Sequence, residues 1–280
     1  MLRQISGLIL CLFLCGSVSA QVFTPSSYQP PANEDLKNLV WNKWNTNNFT
    51  ILSIDQAQGE YLFNNLEAIK TWSLTRWGMS DLKYSAECRV FCVPNKNLMK
   101  KLFGRETSVS EVIYDGNKIK ISAIWFVFDE EPIDSIPSQL VLVNLKETEQ
   151  VYGKKLGFWF YRGSLVLNHS VASIRRVLTN GTMGFDQKNL LSLTEEQWSS
   201  LDQEKKNQYD FQSACLCILF RKEYGEKNML NFVLNPDPKV VVGFKTDEEF
   251  NLTYIRFCGN LVADLKNNKT PDNYLIINKK

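Results

Sequence analysis

Apolar residues along the chain recur with two different periods, and the change from one to the other divides it into two parts. The segments NFTILSI (48–54) and AECRVFCVP (86–94) are rich in β-branched and aromatic residues and read as strands. Between them Tyr61, Leu62, Leu66, Ile69, Trp72 and Leu74 recur at helical spacing, which predicts a long helix over about 58–77 that Gly78 stops. Pro94 ends the second strand, and Asn95 is placed to cap a short helix running to Gly104. In SEVIYDGNKIKISAIWFVF (110–128), Asp115-Gly116 lies between two β-rich arms and predicts a hairpin. QLVLVNL (139–145) and LGFWFY (156–161) read as further strands. From Ser164 onward the pattern turns helical. Ser164 as cap and Asn180-Gly181 as stop predict a helix over about 165–179, followed by helices within 207–225 and 248–265. Strands first and helices later is the layout of an α+β fold, with an N-terminal mixed or antiparallel sheet and a long helix, then a mostly helical C-terminal half.

The N-terminus changes the picture of where such a fold works. MLRQISGLILCLFLCGSVSA has a basic start, a short apolar run and a small-residue end, the signature of a signal peptide over 1–20. Residues 21–38 read as a Pro-led linker, 39–270 as one domain and 271–280 as a tail. The expected location is therefore secreted or periplasmic. A lipid anchor through Cys15 is disfavoured, because Phe13-Leu14 precedes it where small residues are needed. With 44% apolar residues and a formal charge of +2, the chain can bury a full core and has no basic block to suggest nucleic acid or an anionic membrane surface.

Candidate chemistry centres on the single histidine, His169, in LVLNHSVASIRRVL. On the predicted helix Leu167, Val171, Ile174 and Leu178 form one apolar stripe. His169 falls roughly 200° from Leu167, beside Val166, Ser173 and Arg176. The order strand, long helix, strand-Pro-short helix, hairpin, then LNHSVAS, QYDFQSACLCILFRKEYGEKNMLNF and VVVGFKTDEEFNLTYIRFCGNLV resembles the peptidase MA-like, gluzincin-type zinc metallopeptidases over most of residues 40–265. That resemblance implies a zincin-like fold in which one helix carries His-Glu-x-x-His, two imidazoles holding zinc and the Glu activating its water. Carried over by position, His169 matches the first ligand, Ser170 stands in place of the Glu and Ser173 in place of the second His. A serine hydroxyl is neither a strong zinc ligand nor a base near neutral pH. The family's third ligand, a Glu followed by Gly on the next helix, has no match in TNGTMGFDQKNLLSLTEEQW. Glu195 and Glu196 there fit a first helical turn behind Thr194 as cap. The resemblance thus implies an inactive, degenerate member with no metal and no cofactor. Its expected role is to bind or scaffold a polypeptide or a cell-envelope component, with a remnant cleft that accepts an extended segment at the sheet edge.

Other residues offer competing chemistry. A hydrolase with relocated residues would pair His169 with a cysteine, a serine or a carboxylate. Five cysteines follow the signal: Cys88, Cys92, Cys215, Cys217 and Cys258, so at least one lacks an intrachain partner. On one strand Cys88 and Cys92 would lie about 13 Å apart, too far for a disulfide. Cys215 and Cys217 on a helix point to nearly opposite sides, leaving only long-range bridges. Asp129, Glu130, Glu131 and Asp134 form an acidic stretch that reads as a solvated loop, without the spacing of a calcium loop. The run Phe158-Trp159-Phe160-Tyr161, if extended, would divide between two faces. Packing of both is the simpler reading, and an exposed groove wall formed by Trp159 or Tyr161 is the other. Asn48, Asn168, Asn180, Asn251 and Asn268 begin glycosylation sequons.

Overall fold

A computed structural model describes residues 21–23, 39–79, 81–128 and 132–270; the expected signal peptide, most of the linker and the tail lie outside these. The chain runs β1 (Gln21–Phe23), β2 (Trp41–Asn45), β3 (Phe49–Ser53), α1 (Gln56–Thr75), β4 (Cys88–Val93), α2 (Lys96–Phe103), β5 (Val109–Asp115), β6 (Lys118–Val127) and α3 (Pro132–Tyr152). Eight further helices follow among the described residues: α4 (Phe158–Leu167), α5 (Val171–Asn180), α6 (Gln187–Ser192), α7 (Glu195–Ser199), α8 (Gln203–Leu219), α9 (Gly225–Leu234), α10 (Pro238–Val242) and α11 (Asp247–Lys266). A π-helical turn, Phe220–Tyr224, joins α8 to α9. This is an α+β fold. No helix among the described residues is long and apolar enough to cross a membrane.

The strands form one mixed sheet in the order β1-β2-β3-β4-β6-β5, with β5 at one margin. β3, β4 and β6 are parallel neighbours, while β2–β3 and β5–β6 pair antiparallel. Alternation along the strands sorts side chains to two faces. Ile51, Val90, Cys92 and Ile124 meet Leu62 and Leu66 of α1 and Leu140 and Val143 of α3. Leu52, Val93 and Val127 turn the other way, toward Met99 and Leu102 of α2. The local signals at Pro94-Asn95 and Asp115-Gly116 act as expected: the Asn95 side chain accepts from the Leu98 N–H to cap α2, and Gly116 takes φ 60° in the hairpin turn.

Three expectations are corrected. Residues 139–145 are not a strand but the middle of α3, and 156–161 lead into α4 rather than forming a strand. The cause is burial on more than one side. α3 sends Leu140 and Val143 toward the sheet and Val141 and Leu145 into a second, helical core, so its apolar residues lose the one-faced period that marks a surface helix. In α4 both Trp159 and Phe160 are fully buried, Trp159 against Phe232 and Phe160 against Trp77. Trp159 thus forms no exposed groove wall, and Tyr161, the other residue considered for one, is half-buried against the helical core. The third correction concerns the helix expected over 165–179. The chain breaks it at Asn168-His169-Ser170, with α4 ending before the break and α5 beginning after it. Ser164, expected as its cap, is buried inside α4.

Candidate functional site: the Asn168 junction

His169 is exposed and lies between two helices, not on one. Its backbone N–H donates to the Val166 carbonyl at 3.3 Å, closing the turn after α4. Ser170 takes extended φ and ψ and caps α5. Its Oγ accepts from the Ser173 N–H at 3.3 Å and donates to Ser173 Oγ at 3.1 Å. The two hydroxyls that stand where the resemblance would place a base and a ligand are thus engaged in starting a helix. The one-turn spacing that would let residues 169 and 173 share a metal requires a continuous helix, which is absent at this point. Among the described residues, no group of three or more His, Cys, Asp or Glu side chains is placed to hold a metal ion. The residues present do not fit the zinc that an intact His-Glu-x-x-His helix holds.

The centre of the junction is Asn168, whose neighbours in space are remote in sequence. Its side chain is 1% exposed. Nδ2 donates to the Ser164 carbonyl at 2.7 Å, and Oδ1 accepts from Ser73 Oγ at 3.2 Å and Arg76 Nη1 at 3.3 Å. Arg76 Nη1 also donates to the Leu167 carbonyl, at the C-terminus of α4, where a cation complements the helix dipole. The guanidinium lies 3.9 Å from the Trp72 ring centroid, and Arg221 in the π-helical turn donates to the Arg76 carbonyl. Burial first, and the Arg221 charge second, pull the Arg76 pKa down to about 9.

From Ser73 the hydrogen bonds continue toward the sheet. Asn144 Nδ2 donates to Ser73 Oγ at 3.3 Å, and Tyr84 Oη donates to Asn144 Oδ1 at 2.6 Å. Lys70 Nζ sits 4.4 Å from the Tyr84 ring centroid and donates to the Leu82 carbonyl at 2.9 Å. Burial lowers the Lys70 pKa against the opposing pull of Glu67 and Glu147, and burial also raises that of the Tyr84 phenol. Glu147 Oε2 accepts from both Ser85 N–H and Ser85 Oγ, at 2.6 and 2.7 Å. Beside this network is a cavity of about 10 Å³ lined by Ser73, Asn144, Thr148 and Ser164 among others. That is room for about one water molecule, and none for a peptide.

The remaining sequence candidates separate rather than converge. All five cysteines are buried free thiols, while His169 is exposed. Burial pushes Cys92 up to about 12 and raises Cys88, Cys215 and Cys217 as well, the opposite of what an activated nucleophile needs. Glu195 and Glu196 occupy the first turn of α7 behind a Thr194–Gln197 capping box, as expected. Of the acidic stretch, 129–131 lie outside the described residues and Asp134 lies in α3, so it is not a loop throughout. A surface groove of about 680 Å³ forms where the N-termini of α6, α10 and α11 approach one another. Its three aspartates already serve the fold: Asp186 and Asp237 cap their helices and Asp247 pairs with Lys239 at 3.0 Å.

The sheet edge, expected to take an extended segment, carries exposed apolar surface at β5. At the sheet margin Ile113 and Tyr114 of β5 are 47% and 46% exposed, and Val151 and Tyr152 at the end of α3 are 55% and 43% exposed. α3 packs across β5, with Ser110 Oγ donating to the Gln139 carbonyl, and the Tyr114 hydroxyl feels the charges of Lys146 and Glu149 on α3. Tyr114 therefore lies on the α3 side of the margin, and Ile113, the residue before it on the strand, faces the other side of the sheet. Comparison with protein-family models finds no match to this chain, and comparison with curated proteins finds none either.

Proposed function

We propose that this chain is an exported, non-catalytic binding protein of the gluzincin-like kind, which takes an extended polypeptide along β5 instead of cleaving one at His169. The observation that carries the reading is the β5 margin. A terminal strand presents backbone N–H and C=O groups on its outer side, and an incoming strand can pair with them. Ile113, Tyr114, Val151 and Tyr152 add exposed apolar surface where that strand would lie. The resemblance in LNHSVAS and the later helical segments supports the family assignment, and the N-terminal twenty residues support export. The sheet edge was already the expected docking place. We put it at β5, away from the Asn168 junction, on the strength of the exposed margin there. A relocated cysteine hydrolase lacks comparable support, since burial pushes the Cys92 thiol up to about 12, raises those of Cys88, Cys215 and Cys217 as well, and all five cysteines are buried while His169 is exposed.

Selection of a random peptide-display library against the full chain tests this. Enriched peptides are expected to alternate apolar and polar residues. Ile113→Thr with Tyr114→Thr, which keeps β propensity but removes apolar surface, is expected to weaken their binding by about tenfold or more. Peptides that bind the double variant as tightly as the parent, or that protect the amides of 165–178 instead of 109–115 from hydrogen exchange, would overturn the proposal.

A further inference from the structure

Helices α8 and α11 cross in the helical core with a short polar contact between them: Tyr254 Oη donates to the Gln212 carbonyl at 2.7 Å. One turn further along each helix, on the same faces, are Cys258 and Cys215. Both are buried, at 1% and 0% exposure, and burial first, then the neighbouring Cys258, raise the Cys215 thiol. The other three cysteines are placed differently. Cys217 follows Cys215 by two residues, so it points to nearly the opposite side of α8. There it faces α4, where a Cβ built on Gly163 would come within 2.6 Å of its Sγ. Cys88 and Cys92 lie in β4, and Cys92 Sγ donates to Gln58 Oε1 at 3.7 Å.

We infer that Cys215 and Cys258 form a disulfide linking α8 to α11 when the chain folds in the presence of a low-molecular-weight disulfide oxidant such as oxidised glutathione. One cysteine thiolate attacks the oxidant, forming a mixed disulfide and releasing one glutathione thiol. The second cysteine attacks the protein sulfur of that mixed disulfide and releases the second glutathione. Two S–H bonds break, one S–S bond forms in the protein, and the two electrons and two protons leave with the reduced oxidant. Burial sets the timing. In the finished fold neither sulfur is reached from solvent, so the bond closes as the helices dock and not afterwards. The cross-link then constrains the unfolded chain over the loop between residues 215 and 258.

The test is oxidative refolding of the full chain from urea in a mixture of oxidised and reduced glutathione, followed by alkylation and tryptic mapping. The expected product joins peptide 207–221 to peptide 257–266, with fragmentation placing the link at Cys215 and with Cys217 alkylated. The oxidised protein is expected to have a higher urea midpoint than the reduced protein, a difference that vanishes in Cys258→Ala and Cys215→Ala. The same oxidant added to protein already folded is expected to link the pair far more slowly. Refolded protein in which Cys215 and Cys258 are both alkylated, or in which Cys258 is joined to Cys217, would overturn the inference. Should the alanine variants fail to fold, the peptide map of the parent chain alone decides.

Discussion

The Asn168 junction and the β5 margin are built in opposite ways. At the junction a buried amide, two guanidinium groups and the end of α4 bond to one another, Arg76 Nε and Ser164 Oγ are left without a hydrogen-bond partner, and the adjoining cavity has room for about one water. Along β5 the strand ends the sheet, and Ile113, Tyr114, Val151 and Tyr152 stay exposed beside it. Polar residues gathered inside a protein look like a site. Yet a network whose members mostly bond to each other, beside a cavity of about 10 Å³, has no room for a ligand larger than a water, and such a network chiefly fixes the packing around it. Surface whose backbone and apolar groups lack such commitments is where a partner gains most.

The contrast can be broken or sharpened by substitution. The largest effect is expected from Asn168→Ala, which leaves Ser73, Arg76 and the Ser164 carbonyl each short of a partner in the interior. A loss of about 3 kcal/mol or more in urea unfolding is expected, and a loss under about 1 kcal/mol would show that the network is dispensable. Gly163→Ala comes next. The new Cβ would meet Cys217 Sγ and the Ser213 carbonyl oxygen at 2.6 Å, and because one of these is backbone, about 2 kcal/mol should be lost as α4 is forced away from α8. Ser170→Ala removes the α5 cap and should cost about 1 kcal/mol; retention of full stability would mean that the hydroxyl is free for other chemistry. At the other pole, Ile113→Thr should change stability by no more than about 0.5 kcal/mol, since its side chain is about half exposed.

Where a local signal decided the structure, it was legible. Asn95 and Gly104 bracket α2, Asp115-Gly116 turns the hairpin, and the helices expected within 207–225 and 248–265 fall in α8 and α11. Legibility failed where two packing partners compete for one element. LVLV within α3 reads as β-branched strand because α3 is covered by the sheet on one side and by the helical core on the other. The candidate site was legible only as residue types. His169 drew attention as the sole imidazole, yet its neighbour Asn168, which looked like a sequon, is the buried residue that joins α1 to the end of α4. Its partners Ser73 and Arg76 lie more than 90 positions earlier in the chain, and Arg221 lies more than 140 positions beyond Arg76. No periodicity or short motif encodes such a meeting. Only the helix break hints at it, since Asn168-His169-Ser170 is a plausible cap sequence in the wrong place for the longer helix.

The central claim, that residues 168–173 form a structural joint and not a metal centre, is tested most directly by calorimetric titration of the purified full chain with zinc. No stoichiometric uptake is expected, and His169→Ala should leave the titration unchanged. One-to-one binding with submicromolar affinity, abolished by His169→Ala, would contradict it.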